Sequence, residues 1–146
     1  MPAKYKLVLR KDMRKDAAEG SKLYYASANT TGTCDVYELC DLISAQSTAS
    51  SGDVKLILDE LVNVMRRNLG KGEVVKVGEL GSFQLQFGST GTVTEKEFNQ
   101  VLIKSRRIVF RPGKLLKKAV KNYTFEKIAS GAPDEGGDED DRPGEL

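Results

Sequence analysis

The chain has 146 residues, 39% of them hydrophobic and 30% charged, which suits one domain, or one domain with appendages, around a modest core. No apolar run approaches the ~20 residues needed to cross a bilayer, and the amino end, "MPAKYKLVLRKDM", alternates where a signal peptide would be a block of apolar residues. A cytoplasmic protein without membrane contact is therefore expected. The absence of histidine excludes the commonest general base, the Ser-His and Cys-His nucleophile pairs and nearly every zinc arrangement except four thiolates; no enzyme activity, metal, cofactor or small-molecule substrate is expected.

The net charge of +2 hides a division. Residues 131–146, "GAPDEGGDEDDRPGEL", carry seven acidic side chains and one basic. Of the 23 basic and 21 acidic residues in the chain, 22 and 14 therefore fall in residues 1–130, a net charge of +8 on the body. Such a body favours an anionic partner.

In chain order, residues 4–10, "KYKLVLR", alternate with Tyr5, Leu7 and Leu9 on one face, as in a half-buried strand. A polar stretch runs to Ser21, "KLYYASA" (22–28) reads as a second strand, and "NTTGT" breaks the pattern. From Asp35 to about Ala45, Val36, Leu39, Cys40 and Ile43 form a helical stripe, with Cys40 as a small core residue. Cys34 lies six residues earlier, ~9 Å along a shared helix axis, too far for a disulfide.

"STASSGD" offers Ser50 or Ser51 as the cap of a second helix over 53–69. Val54, Ile57, Leu58, Leu61, Val62, Met65 and Leu69 recur there at spacings of three and four, and Gly70 is expected to stop the helix. "EVVKVGELGSFQLQFGS" (73–89) reads as a hairpin turning at "GELG", with Phe83, Leu85 and Phe87 on its core face. Thr94 with Glu97 suggests a capping box on a single helical turn. "VLIKSRRIVF" (101–110) is a third strand ending in Phe110, another expected core residue. Pro112 then suits the first turn of a helix reaching about Asn122. "YTFEKIA" (123–129) is short and extended, and the Gly/Pro/Asp/Glu-rich end is expected to be disordered.

Between residues 104 and 121 stand eight cations, Lys104, Arg106, Arg107, Arg111, Lys114, Lys117, Lys118 and Lys121, with no acidic residue among them. On a helical wheel the four lysines occupy an arc of about 100°, with Leu115, Leu116, Ala119, Val120 and Tyr123 almost opposite, on the side expected to be buried. A solvated lysine face is common, but the uninterrupted run and the +8 body favour a surface that meets a polyanion.

Helix, turn, helix, three strands, then a helix reached through "FRPGK" resembles the HU/IHF family of bacterial histone-like DNA-binding proteins. The motifs that carry the resemblance are "GELGSFQLQF" (78–87), similar to that family's Gly-x-Gly-x-Phe hairpin, and "FRPGKLLKKAV" (110–120), similar to its Phe-[Lys/Arg]-Pro-Gly-Lys-x-Leu-Lys segment. The chain is more similar still to a divergent branch with an added N-terminal strand region. The resemblance implies an α+β fold divided into an N-terminal two-strand extension packing on the core (1–32), an HU-like domain (33–128) and the acidic tail (129–146). It also implies an interlocked homodimer that binds double-stranded DNA in the nucleoid. The chain departs from the family at the arm: residues 88–105 contain no proline and no arginine, so the family's proline wedge has no counterpart. The expectation is a dimer that holds DNA by its phosphates through the eight cations, with little sequence specificity. The alternative is a scaffolding dimer that has lost DNA binding. The acidic tail reads either as a solubilising extension or as a competitor for the basic surface.

Overall fold

The structure, a computed structural model, describes residues 1–129; the acidic residues expected to be disordered lie outside the described residues. The fold is α+β and divides into two compact units, residues 1–34 with 120–129 and residues 35–119.

The first unit is a three-stranded sheet in the order β2-β1-β6. Strand β1 (Ala3–Lys11) pairs antiparallel with β2 (Lys22–Asn29), from Lys4 opposite Asn29 to Lys11 opposite Lys22. The extended "YTFEKIA" segment supplies β6 (Phe125–Lys127), which runs parallel to β1 with Ala3 opposite Phe125 and Tyr5 opposite Lys127. The β1–β2 connection is closed by Asp12, whose carboxylate is buried. It accepts from the Arg14 backbone N–H at 3.0 Å, from Arg14 Nε at 3.0 Å and Nη2 at 2.6 Å, and from Ser21 Oγ at 3.3 Å. The guanidinium of Arg14 holds the Asp12 carboxyl below the usual carboxylate range.

In the second unit, α1 (Val36–Ala45) starts where Asp35 accepts from the Glu38 N–H at 2.9 Å. Helix α2 (Ser51–Gly70) opens with a capping box: Ser50 Oγ accepts from Asp53 N–H at 3.1 Å and the Asp53 carboxylate accepts from Ser50 N–H at 3.3 Å. Gly70 does not stop this helix. Helical geometry continues through it, and the left-handed residue is Gly72, at φ +84°. Gly72 N–H donates to Leu69 O and Glu73 N–H to Asn68 O, so the last carbonyls are satisfied by a six-to-one turn. The sequence offered two glycines, and the one two residues later sits where a positive φ is needed.

Helix α2 packs on α1 and on a second sheet, β3 (Val75–Val77), β4 (Gly81–Ser89) and β5 (Ile103–Pro112), in the order β3-β4-β5. Cys40, Val54 and Leu69 are its buried apolar side chains. Between β4 and β5 lie two 3₁₀ turns, Glu95–Glu97 and Gln100–Leu102. Thr94 makes no side-chain cap to the first, so the expected capping box is absent; the Thr92 hydroxyl ties the Thr94 carbonyl instead, at 2.7 Å. The second turn, which the sequence did not suggest, is capped by Asn99 accepting from Val101 N–H. The last helix, α3 (Lys114–Val120), is shorter than expected. Pro112 ends β5 and is not a helical residue, because Gly81 pairs with it across the ladder.

Candidate functional site

The basic segment is shaped by the β4–β5 ladder. Phe83 stands opposite Phe110, their rings 4.9 Å apart between centroids and tilted by 35°, and Leu85 stands opposite Ile108. These residues face one way, and Phe83, Leu85 and Ile108, with Leu58, Leu61, Val62, Met65 and Leu69 of α2, line an open apolar groove of about 640 Å³. Strand alternation sends the intervening residues to the other face. There Arg107 stands opposite Gln86, its Nη2 donating to Gln86 Oε1 at 3.4 Å, and Arg111 stands opposite Ser82. Ser82 also pairs with Lys76 of β3. Lys76, Ser82 and Arg111 therefore form one cross-strand row, so Lys76 is a cation that the reading of residues 104–121 missed. The alternation in "VKV" was the signal for it.

The ladder is interrupted once, between Gln86 and Gly88, where Phe87 faces both Ser105 and Arg106. Ser105 carries the only positive φ of a non-glycine residue among the described residues, +55°. This is a bulge, and it bends and twists the ribbon. Lys104, opposite Gly88, stays on the Arg107 face, whereas Arg106 falls on the Phe87 face. The four cations of the strand are thus divided three to one. Phe87 is 56% exposed and is not a core residue; it lies one same-face step beyond Leu85, the last β4 side chain lining the α2 groove.

Two glycines set the direction of α3. A Cβ on Gly81, at φ +139°, would lie 2.2 Å from Arg111 O, and a Cβ on Gly113 would lie 2.3 Å from Glu79 O. The "GELG" turn and the Arg-Pro-Gly corner are therefore in backbone contact, joined by Gly113 N–H donating to Leu80 O at 3.1 Å. Lys117 N–H then donates to Gly113 O, so the helix begins at the contact itself. Around this corner lie Lys76, Arg111 and Lys114, with Glu79 as the single carboxylate.

Lys114, Lys117 and Lys118 project from α3 within an arc of about 100°. Lys121 lies in the turn that follows the helix, not on it. All eight cations of residues 104–121 are exposed, and among the described residues none of them forms a salt bridge. The apolar side of α3 is open too: Leu115 is 61% and Val120 59% exposed, against the expectation that this side is buried. Among the described residues no group of three or more His, Cys, Asp or Glu side chains is arranged to hold a metal ion. No described helix is long and apolar enough to cross a membrane.

A capped helical hairpin under a three-stranded ribbon, leading through a glycine corner into a lysine-bearing helix, defines an HU-like α+β protein. The chain belongs to the HU-HIG family, described as an HU domain fused to wHTH, Ig, or glycine-rich motif, whose model matches residues 1–127. It is 35% identical over 86 residues to the DNA-binding protein HU of Thermotoga maritima, covering 58% of this chain and 96% of that one. It is 33% identical over 92 residues to integration host factor subunit alpha of Vibrio cholerae, covering 62% and 94%. A crystal structure from Bacteroides vulgatus described as a bacterial DNA-binding protein shares the fold at a TM-score of 0.59 and 20% identity. That match covers 86% of this chain and 48% of the other, so the present chain spans about half the length of that relative.

Proposed function

We propose that this chain is a non-enzymatic, dimeric histone-like protein of the cytoplasm and nucleoid that binds duplex DNA mainly through its phosphates, with little sequence specificity and without a proline wedge. The observation that carries the reading is the run of eight exposed cations from Lys104 to Lys121, none held by a carboxylate among the described residues. The names of the relatives, a DNA-binding HU protein and a host-factor subunit, point the same way. Binding releases the counterions condensed on each neutralised phosphate. The contacts are assigned to Lys104, Arg107 and Arg111 on one ribbon face, to Lys114, Lys117, Lys118 and Lys121 at and after α3, and to Arg106 on the opposite ribbon face. With about three to five contacts per chain, a dimer neutralises ~6–10 phosphates, and affinity falls by ~10³–10⁵ between about 50 and 200 mM salt.

The dimer is supported by what one chain leaves uncovered. Val62, which lines the apolar groove, is 64% exposed, and Ile57, about 40° from Leu61 around the α2 wheel, is 63% exposed. A second copy laid on that face would remove this surface from water at about 25 cal/mol per Å². A scaffolding dimer without DNA binding is favoured by one feature, the acidic pair Glu95 and Glu97 in the turn between β4 and β5, which flanks Lys96. The double variant Lys117→Glu/Lys118→Glu separates the two readings. The proposal requires loss of duplex retention with an intact dimer, and unchanged retention would leave the scaffold.

A further inference from the structure

The N-terminal sheet has two unlike faces. On one, Lys4 pairs with Glu126; Asp12, in the connection beyond β1, is neutralised by Arg14. The pairing register fixes the other. Lys11 stands directly opposite Lys22, the next same-face pair is Leu9 with Tyr24, and at the far end Tyr5 stands opposite Lys127 and Ala3 opposite Phe125. No acidic residue of β1, β2 or β6 falls on this face. Like charges placed directly opposite destabilise a strand pair, so the Lys11–Lys22 pair calls for an anion. The aromatic residues beside the lysines are open: Tyr24 is 70% and Phe125 68% exposed. This unit also carries most of the charge on the body. Residues 1–34 with 120–129 hold nine basic and four acidic side chains, so +5 of the +8 lies here and not in the ribbon unit.

We propose that this face is a second nucleic-acid site, a platform on which single-stranded DNA lies with its bases stacked on Tyr24 and Phe125 and its phosphates held by Lys11, Lys22 and Lys127. Flat aromatic rings interleaved with cations are what unpaired bases on a charged backbone require, because every base has a π-face and every linkage a negative charge. Duplex DNA is a poor occupant, since its bases are stacked on one another and closed to the rings. The pattern occurs at both ends of the sheet: a lysine pair one same-face step, about 7 Å, from Tyr24, and Lys127 beside Phe125 and Tyr5. Between the two ends stand Ala26 and Ala28, opposite Leu7 and Tyr5, short side chains that leave the strand path clear. Apart from the tyrosine hydroxyls and the lysine ammonium groups, no side chain on the face offers a hydrogen bond to a ribose 2′-hydroxyl. The choice of DNA over RNA otherwise rests on the duplex-DNA reading above.

The test uses the full chain with three fluorescent probes at one low salt concentration: a 20-nucleotide oligo(dT), a 20-base-pair duplex and a 20-nucleotide oligo(rU). The Tyr24→Ala/Phe125→Ala variant is expected to weaken oligo(dT) binding by about 30-fold or more, from the loss of two stacked bases, and to leave duplex binding unchanged. Lys117→Glu/Lys118→Glu is expected to do the reverse, so failure of the duplex reading shows in one probe and failure of the platform in the other. Tyr24→Leu/Phe125→Leu keeps the apolar volume and removes the π-faces, and it is expected to show the same loss of oligo(dT) binding with duplex binding unchanged, which carries the test if the alanine variant does not fold. Quenching of tyrosine emission by oligo(dT), in a chain without tryptophan, is the direct sign of stacking. Equal oligo(dT) affinity in wild type and the leucine variant, absence of quenching, or tighter binding of oligo(rU) than of oligo(dT) would each overturn the proposal.

Discussion

Gly113 offers the sharpest test of how α3 is aimed. Its φ is not positive, so only space requires glycine there. An alanine Cβ would lie 2.3 Å from Glu79 O and 2.8 Å from Glu79 C, where ordinary contact begins near 3.4 Å. Both atoms are backbone in a tight turn, so the two corners must separate by about 1 Å. Overpacking of this kind costs about 1–3 kcal/mol, and stretching the Gly113 N–H to Leu80 O bond adds about 1 kcal/mol. At about 4–8 °C per kcal/mol for a unit of this size, this loss of about 2–4 kcal/mol should lower the melting temperature of Gly113→Ala by roughly 8–32 °C at fixed protein concentration. Two controls calibrate the scale. Gly78→Ala meets no atom within 4 Å but sits at φ +51°, an expected loss of about 1 kcal/mol. Gly91→Ala meets nothing and has no positive φ, and should change stability by less than about 0.5 kcal/mol. Thermal unfolding followed by far-ultraviolet circular dichroism reads all three. A Gly113→Ala protein that melts with Gly91→Ala would refute the backbone-contact account of the corner.

Two smaller perturbations follow from the same geometry. Ser50→Ala removes one half of the capping box on α2 and should cost about 1 kcal/mol by urea denaturation, whereas Ser50→Thr should cost little. Asp12 has a folded pKa below its unfolded value, through its hydrogen bonds to Arg14; its contribution is complete above the ordinary value near 4 and is lost as pH falls through the lower folded value. The stability difference between wild type and Asp12→Asn should therefore be constant above about pH 5 and shrink on further acidification. A difference that grows as pH falls would contradict the Asp12–Arg14 pairing.

Periodicity and caps made most of the fold legible. The spacing of Val54, Leu58, Leu61, Met65 and Leu69 specified α2 because a helical stripe is a local property. The alternation of Phe83 and Leu85 specified the ribbon face for the same reason. Features that depend on pairing were not legible. The bulge at Ser105 cannot be read from "KSRR" alone, and it separates Arg106 from the other three cations of β5. The parallel pairing of β6 with β1 joins residues more than a hundred positions apart and places Lys127 and Phe125 beside Tyr5. The mutual approach of Gly81 and Gly113 to the other's turn likewise needs both corners in place. Of the cationic site, the residue types and the run were visible in the sequence; the side of the ribbon each cation occupies, and the addition of Lys76, came from register.

The most direct test of the account is a duplex-DNA titration of the full chain at salt concentrations from about 50 to 200 mM, with the number of chains per complex measured in parallel. Phosphate binding by a dimer through the Lys104–Lys121 run predicts two chains per complex and log affinity falling with log salt at a slope of roughly −5 to −9, made shallower by Lys117→Glu/Lys118→Glu. A slope near zero, or one that the double variant leaves unchanged, would contradict it.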